Sequence, residues 1–327
     1  MPTNRGPTRT SAALVWAAIL ILYFAWGSTY LGIRIAVGSI PPFVMAAVRF
    51  AIAGAVLLGA VYVLRRRDVA RPSLREGRDS FIVGALLLGG GMGAVAWGEQ
   101  TVPSGITALM IAMTPVWIAV FGRIFLRERL PIAATIGIAT GLLGVAILVG
   151  PSLFVDRSLD PAGVVALILS PISWAAGSLF AANRARLPAD PFVTTGMQML
   201  AGSTVLAAAA ILSGEATSVH LETITANSII AFVYLTIIGS LIAFTAYAWV
   251  LRRAPLPLIA TYAFVNPIVA VVLGWLVLQE AITPRQVLAG AVIVVGVALI
   301  VAARSRMTRI RRTPAASTAP GDEAAAA

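Results

Sequence analysis

The chain has 327 residues, of which 59% are hydrophobic and 11% are charged, and its mean hydropathy is +0.93. A soluble domain is about half apolar and about a quarter charged, so this composition excludes an ordinary soluble protein. The absence of cysteine excludes disulfides, thiolate metal sites and cysteine nucleophiles. No phosphate-binding glycine loop of the Walker type is present. The composition favours a polytopic membrane protein that is not an enzyme and needs no metal or cofactor.

Ten apolar runs are each long enough to cross a hydrocarbon core of about 30 Å as a helix, and they lack the alternation of barrel strands. They cover residues 12–34, 42–63, 80–98, 103–123, 132–150, 161–182, 191–212, 227–249, 256–277 and 284–302. The first run is longer than the apolar region of a signal peptide and no small-residue cleavage site follows it. The sequence therefore predicts an all-α protein with ten transmembrane helices.

Basic residues, all of them arginine, distribute unevenly between the loops. With both termini in the cytoplasm, 20 arginines lie on the cytoplasmic side, and only Arg157 and Arg285 lie in outer loops. Short cytoplasmic loops retain arginine, so the predicted orientation is N-in and C-in. This distribution accounts for the net charge of +11 through contact with anionic inner-leaflet lipids, so no nucleic-acid partner is expected.

The chain matches itself at an offset of 152 residues between Trp97–Val149 and Trp249–Val301. Residues of the rarer types carry the match: Trp97 and Trp249, Pro103 and Pro255, Pro115 and Pro267, Gly122 and Gly274, Glu128 and Glu280, and Gly144 and Gly296. The stretches GSTYLGIR from Gly27 and GSLFAANR from Gly177 match at offset 150, and PFVMAAVRF from Pro42 and PFVTTGMQM from Pro191 match at offset 149. The sequence predicts two repeats, 12–150 and 161–302, between a cytoplasmic tail 1–11 and a basic, then disordered tail 303–327.

Five spans per repeat is an odd number, so the second repeat is predicted to enter the membrane from the opposite side. Inverted repeats of this kind are typical of secondary transporters, in which the two halves expose a central cavity to each side in turn. The sequence therefore predicts two inverted five-helix repeats around a central cavity.

Several motifs together resemble EamA-type members of the drug/metabolite transporter superfamily, over residues 14 to 302. They are FAWGSTYLGIRIA near the start, RF at Arg49, EQTVPSG from Glu99, TP at Thr114 followed by LRERL, and NP at Asn266 followed by LQE. The resemblance implies a bacterial inner-membrane (plasma-membrane) exporter of amino acids or similar small metabolites. It also implies a cavity lined by the first, third, fourth, sixth, eighth and ninth spans.

Helical spacing selects polar and aromatic side chains that share a helix face and are expected to face this cavity. The candidate substrate-binding residues are Tyr23, Trp26, Ser28 and Tyr30 in the first span, Trp97 in the third, Ser104, Thr107 and Thr114 in the fourth, Trp174 and Ser178 in the sixth, Ser240 and Tyr247 in the eighth, and Tyr262 and Asn266 in the ninth. The alternative for each hydroxyl is interhelical packing, where a typical hydrogen bond contributes only about 0.6 kcal/mol.

Pro115 and Pro267 occupy equivalent places in the fourth and ninth spans. A proline removes one helical hydrogen bond and pushes against the carbonyl four residues earlier, which leaves the carbonyls of Ile111 and Ala263 in need of partners. One interpretation is a pair of hinges or gates beside the binding site, and the alternative is a pair of static kinks.

Arg49 and Glu99 are the ionisable candidates. Arg49 lies about 10 Å inside the outer end of the second span at helical rise. It is expected to pair with Glu99, to extend outward to the interface, or to bind a substrate carboxylate. Glu99 lies at the outer end of the third span. It is expected to be either a cation or proton site or an ordinary residue at the rim. No acid lies near mid-depth, which argues against strong proton coupling.

Two further features are expected to be structural. Glu128 and Glu280 suit the first turns of the fifth and tenth spans, where the helix dipole favours acids. Gly137, Gly141 and Gly144 form a small-residue ridge suited to close packing.

The sequence as a whole predicts a secondary exporter of a small-molecule substrate. A multidrug efflux pump and a non-transporting receptor or structural protein remain alternatives. Transport direction, energy coupling and assembly as a homodimer are left open.

Overall fold

The computed structural model describes residues 12–64, 69–128, 130–154, 159–250, 253–254 and 261–312, and within these ranges all regular structure is helical. In the first half, span 1 comprises Ala12–Gly27 and Thr29–Ala36; span 2 comprises Pro42–Leu64; span 3 comprises Leu74–Gly84, Ala85–Met92 and Gly93–Gly98; span 4 comprises Ser104–Ile111 and Thr114–Phe125; and span 5 comprises Ile132–Phe154. In the second half, span 6 comprises Pro161–Asn183; span 7 comprises Pro191–Leu212; span 8 comprises Ala226–Tyr234, Leu235–Ile242 and Ala243–Val250; span 9 comprises Tyr262–Leu278; and span 10 comprises Pro284–Arg312. Two short 3₁₀ turns, Glu215–Thr217 and Leu221–Thr223, join spans 7 and 8.

Nine of these segments are long and apolar enough to cross a membrane, and span 9 is a shorter apolar helix in the described part of the chain. The predicted ninth run began at residue 256, but residues 255–260 lie outside the described ranges. The all-α class with about ten membrane helices is confirmed. The orientation of the two halves relative to the membrane stays a prediction.

Spans 3 and 10 extend furthest beyond their predicted ends. Span 3 begins at Leu74 because Ser73 and Glu76 form a capping box, in which Ser73 N donates to Glu76 Oε2 at 2.7 Å and Glu76 N donates to Ser73 Oγ at 3.3 Å. Span 10 continues as a helix of 29 residues to Arg312, through part of the predicted tail. At about 1.5 Å per residue this helix exceeds a core of about 30 Å, so it is too long to lie wholly within the hydrocarbon.

The two halves share unusual local conformations at the offsets found in the sequence. Spans 3 and 8 each contain an eight-residue π-helical segment, Ala85–Met92 and Leu235–Ile242. Arg127 and Gln279, 152 residues apart, are the described non-glycine residues with positive φ, and both have φ 54°. π-helical turns are rare and often occur at functional sites.

Close packing joins span 5 to span 10 and span 2 to span 7. A Cβ added to Gly296 would lie 2.6 Å from the backbone nitrogen of Gly141 and 2.7 Å from the carbonyl oxygen of Gly137. Such an approach requires residues without side chains, so the predicted packing role of the glycine ridge on span 5 is confirmed.

Spans 1 and 6 each pack into the other half of the chain. Span 1 lies against spans 8 and 9, and span 6 lies against spans 3 and 4. Span 1 approaches span 9 closely at Gly27, where an added Cβ would lie 2.7 Å from Cβ of Val269. Any site along span 1 is therefore built from both halves.

Candidate functional site

An aromatic cluster surrounds Trp26 on span 1. Its ring centroid lies 5.5 Å from that of Phe244, 5.2 Å from that of Tyr247 and 5.0 Å from that of Tyr262. One turn earlier, the hydroxyl of Tyr23 is hydrogen-bonded to Thr261 Oγ1 at 2.5 Å. Span 1 brings the predicted residues Tyr23, Trp26, Tyr247 and Tyr262 together. The rings of Trp26, Tyr247 and Tyr262 contact one another, so in this conformation they close the space that they were predicted to line.

A buried arginine lies beyond the aromatic cluster, at the level of Thr29. Arg49 of span 2 is 2% exposed, and its Nε donates to Ser240 Oγ of span 8 at 2.9 Å. Its guanidinium carbon lies 5.0 Å from the ring centroid of Phe50. A Cβ added to Gly239 would lie 3.0 Å from Arg49 Nη2 and 3.3 Å from Thr29 Oγ1. The π-helical segment of span 8 thus supplies both a hydroxyl partner and the space that the guanidinium needs.

Two predicted roles of Arg49 are wrong. Its hydrogen bond runs to Ser240 instead of Glu99, and its burial excludes extension to the interface. Within the described ranges no carboxylate lies at ion-pair distance from its guanidinium. The remaining interpretation, contact with a substrate carboxylate, stays a prediction.

The predicted hydroxyls of span 4 have partners within the protein. Ser104 Oγ donates to the carboxylate of Glu280 at 3.0 Å, Thr107 Oγ1 donates to the carbonyl of Pro103 at 3.1 Å, and Thr114 Oγ1 donates to the carbonyl of Ile111 at 2.7 Å. These bonds favour the packing role over substrate contact for these three residues.

The two equivalent prolines are accommodated differently. Span 4 is interrupted at residues 112–113, just before Pro115, and the hydroxyl of Thr114 replaces the lost donor to Ile111. Span 9 passes through Pro267 without interruption. With its amide nitrogen directed toward them, Asn266 donates to the carbonyls of Tyr262 at 3.1 Å and Tyr23 at 3.3 Å. Asn266 therefore links spans 9 and 1, and the described part of span 9 has no interruption like that of span 4.

Span 6 packs against the π-helical segment of span 3. Ser170 Oγ donates to the carbonyl of Gly91 at 2.8 Å, and Ser173 Oγ donates to that of Leu86 at 2.7 Å. Trp174 is partly buried, and its Cε3 would lie 3.1 Å from a Cβ on Gly91. The predicted Ser178 is partly exposed one turn further along. Trp174 therefore packs on span 3, apart from the contacts made by Trp26.

The other predicted residues occupy different surroundings. The hydroxyl of Ser28 is hydrogen-bonded to the hydroxyl of Tyr234 at 2.5 Å. Tyr30 packs against the core around Ile33. Trp97 is partly buried, and its carbonyl accepts a hydrogen bond from Gln100 Nε2 at 3.1 Å. These three residues lie outside the cluster around Trp26.

The expected role of Glu280 as a first-turn acid of span 10 is wrong, because its carboxylate caps the start of span 4 instead. Its carboxylate accepts hydrogen bonds from Ser104 N at 2.9 Å and Gly105 N at 3.1 Å, in addition to the bond from Ser104 Oγ. A carboxylate at this place satisfies free N–H groups of the first turn and interacts favourably with the helix dipole.

Two charged residues meet at the turn between spans 3 and 4: Glu99 belongs to the turn, and Arg34 reaches it from span 1. Glu99 is 0% exposed, so it is not the rim residue that was one of its two interpretations. Arg34 Nη1, which the sequence reading did not select, donates to the carbonyls of Glu99 and Gln100, the latter at 2.6 Å. The only sequence signal for Arg34 was that an arginine ends both of the matching stretches GSTYLGIR and GSLFAANR.

Curated relatives cover nearly the whole chain. It is 38% identical over 288 residues to YedA, an uncharacterised inner membrane transporter of Escherichia coli (strain K12), covering 88% of this chain and 90% of the relative. It is 24% identical over 290 residues to a probable amino-acid metabolite efflux pump of the same organism, covering 85% and 91%.

A solved crystal structure and a family model also match. The crystal structure has a TM-score of 0.60 at 24% identity, covers 90% of this chain and 98% of that chain, and supports the fold alone. The model of the EamA-like transporter family matches residues 13–150 and again residues 161–302. The chain is a membrane transporter that belongs to the EamA-like transporter family.

Proposed function

We propose that this transporter exports amino acids or related small metabolites across the plasma (inner) membrane by alternating access. The observation that carries the proposal is the buried guanidinium of Arg49, which has a hydroxyl partner but no carboxylate among the described residues. A buried charge without a counter-charge is costly, and an ionisable residue inside a membrane span is functional by default. A substrate carboxylate supplies the opposite charge.

The surroundings of Arg49 suit a small molecule with one acidic end and one apolar end. Along span 1, Thr29 at the level of the guanidinium is about 4.5 Å from Trp26 at helical rise. A carboxylate held by Arg49 and Ser240 therefore leaves the rest of an amino acid facing the aromatic cluster. In the alternating-access cycle, the rings around Trp26 separate to admit the substrate.

The names of two relatives support the location in the inner membrane and the substrate class. One relative is an inner membrane transporter and another is a probable amino-acid metabolite efflux pump. The arginine-rich loops favour an orientation with both termini in the cytoplasm and the basic face against anionic inner-leaflet lipids. The proposal includes two halves of inverted orientation, 12–150 and 161–302. It also includes assembly as a monomer or homodimer.

The experiment that tests the proposal is efflux from cells that overexpress the chain. The cells are loaded with amino acids, the corresponding amino-acid amides, nucleobases and cationic dyes. We expect the native chain to export an amino acid in preference to its amide, because the amide lacks the charge that Arg49 binds. Arg49→Met should lose this preference, Arg49→Lys should retain part of it, and Trp26→Ala should reduce efflux of both compounds.

A multidrug efflux pump is the second candidate, and the burial of Glu99 is the observation that favours it, since a buried carboxylate suits cationic compounds. Efflux of dyes without efflux of any amino acid would support this candidate and contradict the first. No efflux of any compound by correctly inserted protein would support a receptor or structural role.

A further inference from the structure

Glu99 combines complete burial with an unsatisfied side chain. Among the described residues, neither of its carboxylate oxygens has a hydrogen-bond partner. By contrast, the carboxylates of Asp160, Glu215 and Glu280 each accept hydrogen bonds from the first turn of a helix. An ionised carboxylate without partners is very costly in an apolar interior, so such a group takes up a proton.

The groups that face Glu99 do not supply the missing partner. Arg34 of span 1 donates to the backbone carbonyl of Glu99 instead of its carboxylate. Tyr30, one turn earlier on span 1, and Glu280, beyond span 9, are the other ionisable neighbours. Burial and the charge of Glu280 raise the pKa of the Glu99 carboxyl well above its usual range, against a smaller opposing effect of Arg34.

Glu99 lies where three spans from both halves are tied together. Arg34 joins the end of span 1 to the turn between spans 3 and 4, and Glu280 joins the end of span 9 to the start of span 4. Spans 1, 4 and 9 also contact one another. Separating these spans at this end would break the ties and bring water to the carboxyl of Glu99.

The sequence repeat contains this acid in the first half only. Arg34 corresponds to Arg184 at offset 150, and Glu280 corresponds to Glu128 at offset 152. At offset 152 Glu99 corresponds to Leu251, which lies outside the described residues. Arg34 and Glu280, which link the spans, therefore each have an equivalent in the other repeat, whereas Glu99 does not. The need to hold these spans together therefore does not by itself explain why an unsatisfied acid lies at position 99.

We propose that Glu99 is a proton-binding site at the extracellular gate of the transporter. The carboxyl holds a proton while the gate is closed, and its O–H bond breaks when the gate opens, with the proton passing to external water. Closing reverses the step by taking a proton from external water, so no other reactant is needed. This inference rests on the proposed alternating access and on the predicted orientation.

The sign of the pH dependence follows from this scheme. The closed conformation binds the proton more tightly, so acidic external pH favours closure and a rise in pH favours opening. Each pKa unit of difference between the two conformations changes the opening equilibrium up to about tenfold.

The absence of cysteine permits a direct test. Ile106→Cys places a reporter on the buried first part of span 4, and Ala216→Cys places a reference thiol in the exposed loop between spans 7 and 8. Labelling with a membrane-impermeant thiol reagent is measured in cells between external pH 6 and 8. The reporter rate is divided by the reference rate, which removes the pH dependence of the thiol reaction.

We expect normalised labelling of the Ile106→Cys protein to rise with pH by several fold. Glu99→Gln, a neutral counterpart of the protonated acid, should hold labelling at the low level at every pH. Glu222→Gln, which changes an exposed acid in the outer loop, should leave the pH response unchanged.

Three outcomes would overturn the proposal: pH-independent labelling in the otherwise native chain, a pH response that survives Glu99→Gln, or a response to sodium at constant pH. The first and third use native Glu99, so they remain decisive even where Glu99→Gln does not fold. The assay needs no transported substrate. Failure of the amino-acid proposal, seen as absent efflux, is therefore distinguishable from failure of the proton site.

Discussion

Glu280, at the end of span 9, accepts hydrogen bonds from both the hydroxyl and the backbone nitrogen of Ser104 at the start of span 4. The two residues are 176 positions apart and join the two halves of the chain. This pair links span 9 to span 4 at the end of the bundle at which Glu99 is buried, and its contribution to stability can be measured.

Glu280→Gln should lower the thermal unfolding temperature in detergent, because a lost helix cap typically costs about 1 kcal/mol. Ser104→Ala should cost less, since the backbone donors of Ser104 and Gly105 retain the carboxylate. In a double-mutant cycle the two effects should not add. Glu222→Gln, at an exposed loop position, is the control, and an equal shift in it would contradict the capping role.

Gly296→Ala should destabilise the protein by about 1–3 kcal/mol, the usual cost of overpacking. The added Cβ would meet the backbone of Gly141 and Gly137, which cannot move aside as a side-chain end can. Gly150→Ala in the same pair of spans meets nothing within 4 Å and is the matched control. The control should be neutral or stabilising by roughly 0.5–1 kcal/mol. Equal unfolding temperatures for both variants would refute close packing of spans 5 and 10.

Gly239→Ala should impair transport more than stability. The new methyl group would lie 3.0 Å from Arg49 Nη2, the end of a side chain that can shift at little cost. The shift moves the guanidinium away from its place beside Thr29. We expect kcat/KM for a carboxylate substrate to fall on the order of tenfold, which corresponds to 1.4 kcal/mol. Gly59→Ala, which meets nothing within 4 Å, should have no such effect.

Thr114→Val should destabilise span 4, because the carbonyl of Ile111 loses the hydroxyl that replaces the donor removed by Pro115. The expected cost is about 1 kcal/mol, typical of one hydrogen bond. Thr114→Ser keeps the hydroxyl and should stay close to the native unfolding temperature. A Val variant as stable as the Ser variant would show that water satisfies the carbonyl instead.

Glu99→Gln should raise the unfolding temperature at neutral pH. The folded-state pKa of this carboxyl is raised, so the folded chain binds a proton that the unfolded chain releases above about pH 4.3. The native chain therefore loses stability as pH rises from about 4.3 to the folded-state pKa, and the neutral amide does not. The difference in unfolding temperature between variant and native protein should grow with pH from 4 to 8. A difference that is constant or reversed would mean that Glu99 is ionised in the folded protein.

The amino-acid sequence by itself determined the all-α class, the number of helices and the family, because apolar length, helical spacing and ordered motifs are local properties. It also indicated the glycine ridge, whose close packing requires only small residues on one helix face. Trp26, Tyr247 and Tyr262 were among the candidate substrate-binding residues on three separate spans, and the structure brings them together.

Only the tertiary structure decided the partners of the charged and polar groups. Arg49 and Ser240 are 191 residues apart, and no local pattern relates the two. Glu99 looked like a residue at a span end, because hydropathy measures position along the chain and not the burial that packing of the spans creates around it. Charges in a membrane protein are stabilised by long-range contacts, and these arise only when the two halves pack together.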